Sequence, residues 1–520
     1  PDSTPRRSRA HGPSGSRRRR SNAEIGAIAV MALHLFFAPM LLGGVLPWTI
    51  VFVAVTALAA LGITAYAFRR SLSTPSPAVL WAALGLLVWT GLQALRIPCD
   101  LAALLAPESA SSARAAQAAL GVSSGVVCTL SRDPGATLAE VVKGIAIVAT
   151  LAAAWLFGAS GLRREVVWMI AASTLAMSTV ALGHALAGLD HVFGVYKPVE
   201  TSNQLLLAPL MNSNNLGAFA ALGVPLWIGL TYRTGLREVR WLGRVAIVIT
   251  AVTAILSLSR GAIGQLGLEA LLVIVCIRMT SRSASRRPEA HAWQRSLAIA
   301  GAVAAASGLA MYIAGRLVTA EFANRDYSKL RLLQRSFAFA WNHAWVGVGR
   351  GAFSSAFVGV EGQTIRFAYP ENFLIQWASE WGFPITLAWF ALLGIALFRA
   401  ARQSKSLAHL CALAALLAYS AQNLVDLAFE LVGVAVVAAA LLGATIAPRT
   451  RDKTLAPKPA SLLVPVGAIL VAGALILATL APALSAQAIT GLDARLREQL
   501  RVQDRNGFRR RVFVRIDDLR

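Results

Sequence analysis

The sequence predicts an all-α polytopic membrane protein with about thirteen transmembrane helices and a large outer loop between the ninth and tenth. Three observations lead there. Of the 520 residues, 56% are hydrophobic and 14% charged, whereas a soluble domain carries roughly a quarter charged residues. Apolar runs long enough to cross about 30 Å of hydrocarbon recur along the whole chain. Basic residues gather in short clusters between those runs, and they do so in alternate loops.

The apolar runs lie near 24–42, 47–68, 78–96, 137–158, 165–188, 207–231, 241–259, 261–277, 296–318, 372–398, 406–424, 427–447 and 461–483. Cationic loops stay on the cytoplasmic side, so Arg6, Arg7, Arg9 and the run Arg17 to Arg20 put the N-terminus inside. The alternate loops then carry Arg69 and Arg70, Arg163 and Arg164, Arg237 and Arg240, Arg282 and Arg286, Arg399 and Arg402, and Arg449 and Arg451. All fall on one side, and one miscounted helix breaks the alternation. The chain therefore divides into a basic inner tail at 1–23, helices one to nine over 24–318, an outer loop at 319–371, helices ten to thirteen over 372–483, and an outer tail at 484–520. In that tail ITGLDARLREQLRVQ reads as an amphipathic helix, with a frayed terminal helix as the alternative. No cleavable signal peptide is expected.

The net charge of +24, from 49 Lys plus Arg against 25 Asp plus Glu, first suggests nucleic acid. The placement of those charges argues against it, because they serve topology rather than forming one polar face. Cys276 and Cys411 fall inside apolar helices and read as buried thiols. Cys99 and Cys128 share the first outer loop, 97–136, and read as a disulfide, the alternative being two unrelated thiols.

The sequence carries no GxxxxGK[ST] loop, no His/Cys cluster at zinc spacing and no Asp-x-Asp pair. No metal and no cofactor are expected, so any phosphate handled here must meet Arg and Lys. Arg260, in LSLSRGAIGQL, stands where two helices adjoin at the outer side. An Arg near hydrocarbon depth usually faces a partner or water; the alternative is a snorkelling side chain. The loop 319–371 adds Arg325, Lys329, Arg331, Arg335, Arg350 and Arg366, charges that topology does not explain, although any one of them can belong to a solvated loop. Within it GVGRGAF permits a tight turn and a close backbone approach. YPENFLIQWASEWGFP follows, where Asn372, Gln376 and Glu380 recur one helical turn apart with Trp377 and Trp381 beside them. Such a stripe on a membrane helix faces protein or water. Asp426 stands at a helix start, and Asn212, Asn214 and Asn215 open the sixth helix; caps and interhelix hydrogen bonds are the first reading for these, ligands the second.

Taken in order, these patches resemble the O-antigen ligase family, over roughly 90–445. MNSNNLGAF resembles its Asn-x-Asn helix entry, Ser259, Arg260 and Gly261 its Ser-Arg-Gly step, and HAWVGVGRGAF from His343 its hPxxGvGxGxF run. Glu371, Asn372 and Gly382 align with a helix opening in His-Asn and followed by Gly, and LVDLAFE resembles an Asp-bearing entry to a late helix. Two positions depart from the family: Glu371 stands where its ligases carry His, and Ile385 where Gly, Thr or Tyr is usual.

The resemblance implies a glycosyl transfer at the periplasmic face of a bacterial inner membrane, with the N-terminus cytoplasmic and the C-terminus periplasmic. The donor is an undecaprenyl-pyrophosphate-linked glycan, and the acceptor hydroxyl belongs to lipid A-core, a glycan or a protein. It also implies residue roles: Glu371 as general base in place of His, Arg260 with Lys329, Arg331 and Arg335 on the pyrophosphate, and Asn372, Gln376, Glu380, Asn212 and Asn214 around the substrates. Ligase is the first reading. O-antigen polymerase and protein O-oligosaccharyltransferase are the alternatives within the class. A transporter or flippase is the alternative outside it, although such proteins usually show internal repeats, and none is found here.

Overall fold

The computed structural model describes residues 20–69, 77–119, 127–198, 205–232, 234–282, 328–357, 367–404 and 406–448, with a few residues of 467–473. Among the described residues, seven helices are long and apolar enough to cross a membrane: α1 (Asn22–Met40), α2 (Pro47–Ala67), α6 (Pro134–Ala159), α7 (Arg163–Leu186), α9 (Arg237–Leu256), α10 (Arg260–Arg282) and α13 (Phe383–Gln403). Three shorter apolar helices join them, α3 (Ala78–Ala94), α14 (Leu407–Gln422) and α15 (Val432–Ile446). The bundle also encloses α8 (Ser213–Thr231), which packs on α7, α9, α10 and α14 and is buried on nearly every side. That position shields Asn215 and Thr231 from hydrocarbon. Of the remaining expected spans, 296–318 lies outside the described residues; in 461–483 the described residues are helical, and Leu470 lies against Gly62 of α2.

The centre of the bundle is α6, buried along most of its length, whereas α13 is largely exposed. α6 and α15 approach closely because small residues meet: Gly158 faces Ala444 and Ala447, and Gly443 faces the Leu151 carbonyl. Between membrane helices this close packing substitutes for the hydrophobic drive that lipid removes.

The run 372–398, expected as one helix, is two. α12 (Phe373–Trp381) ends at Gly382 and α13 begins at Phe383. Gly382 adopts φ 88°, and a Cβ there would strike the Trp345 carbonyl. Pro384 then occupies the first turn of α13, where its missing N–H is no loss.

On the same side as that break, the described residues of 97–136 include α4 (Cys99–Leu105), α5 (Pro107–Ala119) and a two-residue antiparallel ribbon of β1 (Ile97–Pro98) and β2 (Val127–Cys128). Cys99 and Cys128 are joined by a disulfide. The free thiols Cys276 and Cys411 are buried. α11 (Ser328–Asn342) runs over this face and packs on α12.

Candidate active site

Two polar clusters sit at this end of the bundle. The first is built around Arg350. Gly347, Gly349 and Gly351 all adopt positive φ (72°, 97° and 79°), a region open to glycine at no steric cost. The need is contact as well as conformation: a Cβ on Gly347 would meet the Glu380 backbone, one on Gly349 would meet Ser131, and one on Gly351 would lie 2.8 Å from Glu140 Cγ. The segment is thereby pressed against the end of α12, where the Val348 N–H donates to the Ser379 carbonyl at 2.9 Å and the Gly349 N–H to the Glu380 carbonyl at 3.2 Å. Carbonyls at a helix end need such partners from outside the helix.

Arg350 points inward from this turn. Its guanidinium hydrogen-bonds Glu380, and it reaches Glu430 Oε2 at 2.6 Å and Glu140 Oε2 at 3.1 Å. Lys143 Nζ lies 2.5 Å from Glu140 Oε1. Trp377 Nε1 donates to Glu430 Oε1 at 2.9 Å, and the Trp381 ring lies 5.3 Å from the guanidinium carbon. Gln93 locks the backbone, donating to the Glu380 and Val346 carbonyls and accepting from the Arg350 N–H. Burial alone would lower the Arg350 pKa; Glu430, Glu140 and Glu380 outweigh it and hold the guanidinium charged. For Glu380, burial dominates and pushes its pKa up to about 7; Arg350 opposes that shift, and Glu430 and Glu140 reinforce it. Beneath the cluster an apolar cavity of about 370 Å³ is lined by Leu86, Leu87, Trp377, Trp389, Phe390 and Leu393.

The second cluster is more open. Lys329, at the start of α11, lies 2.5 Å from Glu371 Oε2, with side chains 50% and 32% exposed. Glu371 has φ 53°, a left-handed conformation that a non-glycine residue rarely adopts. It is not the helix cap. Asn372 is, accepting from the Ile375 N–H at 2.9 Å while its amide donates to the Leu424 carbonyl at 2.8 Å. Leu424 leads to Asp426, whose Oδ2 accepts from Gln422 Nε2 at 2.7 Å. Burial pushes Asp426 up; Gln422, the Leu427 N–H and Lys329 oppose that, and Glu371 adds to it. Gln422 in turn borders the Ser-Arg-Gly step, since a Cβ on Gly261 would lie 3.3 Å from its amide nitrogen. Arg260 is the first residue of α10 and is exposed. Leu258 (φ 59°) makes the turn, and Ser259 Oγ caps α10 by accepting from the Ala262 N–H at 3.2 Å.

The sequence-derived residues therefore separate. Glu371, Lys329 and Asn372 meet beside Asp426, with Gln422 linking them to the Arg260 helix start. Gln376 and Glu380 do not share that opening: they are 2% and 0% exposed, and Gln376 Nε2 donates to Glu380 Oε1. Trp377 and Trp381, on the same helix, turn toward Arg350. Asn212 caps α8, its Oδ1 accepting from the Asn214 and Asn215 N–H groups. Arg331 and Arg335 are exposed on α11. His343 holds Glu108 of α5 at 2.7 Å and the Phe339 carbonyl at 2.8 Å.

Residues 245–390 match the family model described as O-Antigen ligase. The match supports the family that the motifs resemble, a family of membrane glycosyltransferases, and it contains Arg260, Lys329, Arg350 and Glu371. Glu140, Asp426 and Glu430, which complete the two clusters, lie outside the matched range. No curated protein sequence matches the chain.

Proposed function

We propose that the protein transfers a glycan from an undecaprenyl-pyrophosphate donor to an acceptor hydroxyl at the periplasmic face of the inner membrane, acting as an O-antigen ligase. The reading rests on one juxtaposition, the Lys329–Glu371 pair beside Asp426, next to the helix start that carries Arg260.

In this reaction the acceptor oxygen forms a bond to the anomeric carbon as that carbon's bond to the pyrophosphate oxygen breaks. The acceptor proton passes to Glu371. The electron pair leaves with undecaprenyl pyrophosphate, whose growing negative charge needs preorganised cations. Arg260 grips two phosphate oxygens at once. A cation on the first turn of α10 opposes the helix dipole, but a bound phosphate there is favoured by both the dipole and the guanidinium. A pyrophosphate arriving beside Lys329 draws its ammonium from Glu371, leaving the carboxylate able to accept a proton. The apolar cavity below Arg350 suits the aliphatic chain of a lipid-linked donor.

Purified protein in detergent, given lipid-linked glycan and lipid A-core, should form the joined glycolipid. Arg260→Lys should lose much of that activity and Arg260→Ala more. A protein that forms no product but moves lipid-linked glycan across vesicles would be a transporter. A deletion strain that accumulates unattached polymer supports a ligase, and one left with single-repeat lipopolysaccharide supports a polymerase.

A further inference from the structure

α11 carries three faces at helical spacing. Leu332, Ser336 and Ala340 are buried, and Leu332 packs with Phe353 and Phe357. Arg331 and Arg335 form a second, exposed face. The third is apolar and yet exposed: Leu330, Phe337 and Trp341, continued by Trp345 just beyond the helix, are 62%, 49%, 65% and 80% exposed. At about 100° per residue, Leu330, Phe337 and Trp341 fall in one stripe, and the arginines lie roughly a third of a turn away.

What this stripe adjoins identifies its partner. Phe337 and Trp341 pack on Phe383, the first residue of α13, with ring centroids 6.2 and 5.8 Å apart. α13 is the least buried of the long apolar helices among the described residues, and Leu387, Ile395 and Phe398 stand 64%, 50% and 62% exposed on it. The aromatic stripe thus continues, without a polar break at Phe383, a surface that faces lipid. Large aromatic side chains concentrate at the boundary between headgroups and acyl chains. Basic residues beside an apolar stripe are the pattern of a helix lying in that boundary.

We infer that α11 is an in-plane interfacial helix, with Phe337, Trp341 and Trp345 inserted at the bilayer surface and Arg331 and Arg335 at headgroup level. The helix that carries Lys329 is then held at the depth where a lipid-linked phosphate sits. The inference does not require that the donor be a glycan, so it stands apart from the proposed reaction.

Cys276 and Cys411 are buried and Cys99 and Cys128 are bonded to each other, so a thiol-reactive fluorophore reports on a newly introduced cysteine. Trp341→Cys and Trp345→Cys should be labelled in the full chain, in nanodiscs of phosphatidylethanolamine and phosphatidylglycerol, with Leu330→Cys as a second position on the stripe and Arg335→Cys off it. The stripe labels should be quenched several-fold more by lipid carrying a nitroxide on the upper acyl chain than by aqueous iodide, and the Arg335 label should show the reverse order. Equal iodide quenching at all positions would make the stripe water-exposed and overturn the inference. Stripe labels reached by neither quencher would mean that a protein segment covers the face, which overturns it equally.

Discussion

Glu371 holds a backbone conformation that is typically worth about 1–3 kcal/mol of strain for a residue with a Cβ, and it does so one position before a helix already capped by Asn372. A residue kept there without capping the helix is a functional candidate. Glu371→Gln keeps the size and the φ requirement but removes the basic oxygen. Transfer should fall by about 10² or more, the usual contribution of a general base, while donor binding is kept because Lys329 is released. Wild-type transfer by this variant would move the base elsewhere; Asp426, also in this cluster, is then the next carboxyl to test. Glu380 gives a separate prediction. Three carboxylates there face two cations, Arg350 and Lys143, and the Glu380 pKa is raised to about 7, chiefly by burial. A raised carboxyl stabilises the fold while protonated, so that stability is full below the unfolded carboxyl value of about 4.3 and is lost as pH rises through about 7. The melting temperature in detergent should decline across neutral pH, and Glu380→Gln should flatten that decline; an unchanged slope would assign it to another group.

The turn Gly347–Gly351 shows what local sequence conveys about an element and what it does not. GVGRGAF reads as a tight turn with a close backbone approach, and the structure has both. That Arg350 turns inward was not legible, because Glu140 and Glu430 lie far away in the chain and no short pattern joins them to it. The break at Gly382 was hidden for a different reason: apolar side chains continue on both sides of it, so hydropathy sees one helix where the backbone makes two. The turn is also where substitution should tell most at this scale. Gly349→Ala must place a Cβ against Ser131 at φ 97°, and strain with overpacking should destabilise the protein by about 1–3 kcal/mol. Displacing the turn also pulls Arg350 from its carboxylates, and opening a buried ion pair costs about 3–5 kcal/mol. Gly349→Ala should therefore lower the melting temperature more than Gly394→Ala, whose Cβ has open space. Equal melting temperatures would mean that the turn can relax without moving Arg350.

At the scale of the whole molecule, side-chain contacts assign helix ends to two opposite faces independently of charge counting. Arg20, before α1, pairs with Glu165 in the first turn of α7 at 2.5 Å. Arg163 donates to the Ala444 carbonyl at the end of α15, and Arg164 to the Leu230 carbonyl at the end of α8. Cations on the carbonyl ends of helices also suit the helix dipole. One face therefore gathers the starts of α1 and α7 and the ends of α8 and α15. Arg350 gathers the other: Glu140 near the start of α6, Glu430 just before α15, and Gln93 at the end of α3. The contacts fix which ends lie together, and the tendency of Arg-rich loops to be retained in the cytoplasm is the ground for proposing which face is which. The first face holds the Arg clusters, and on that ground we propose that the face with Arg350, Glu371 and the disulfide is the outer one. A reporter active only outside the cytoplasm should accordingly be active when fused near Gly121, Ala323 or Gly362, and silent near Arg70, Arg237 or Arg402. The Ala323 fusion carries the most information, because it follows the 296–318 run, which the described residues do not include. Silence at Ala323 with activity at Gly362 would remove that crossing and require another between them, whereas activity at both with silence at Arg402 is the outcome that thirteen crossings predict.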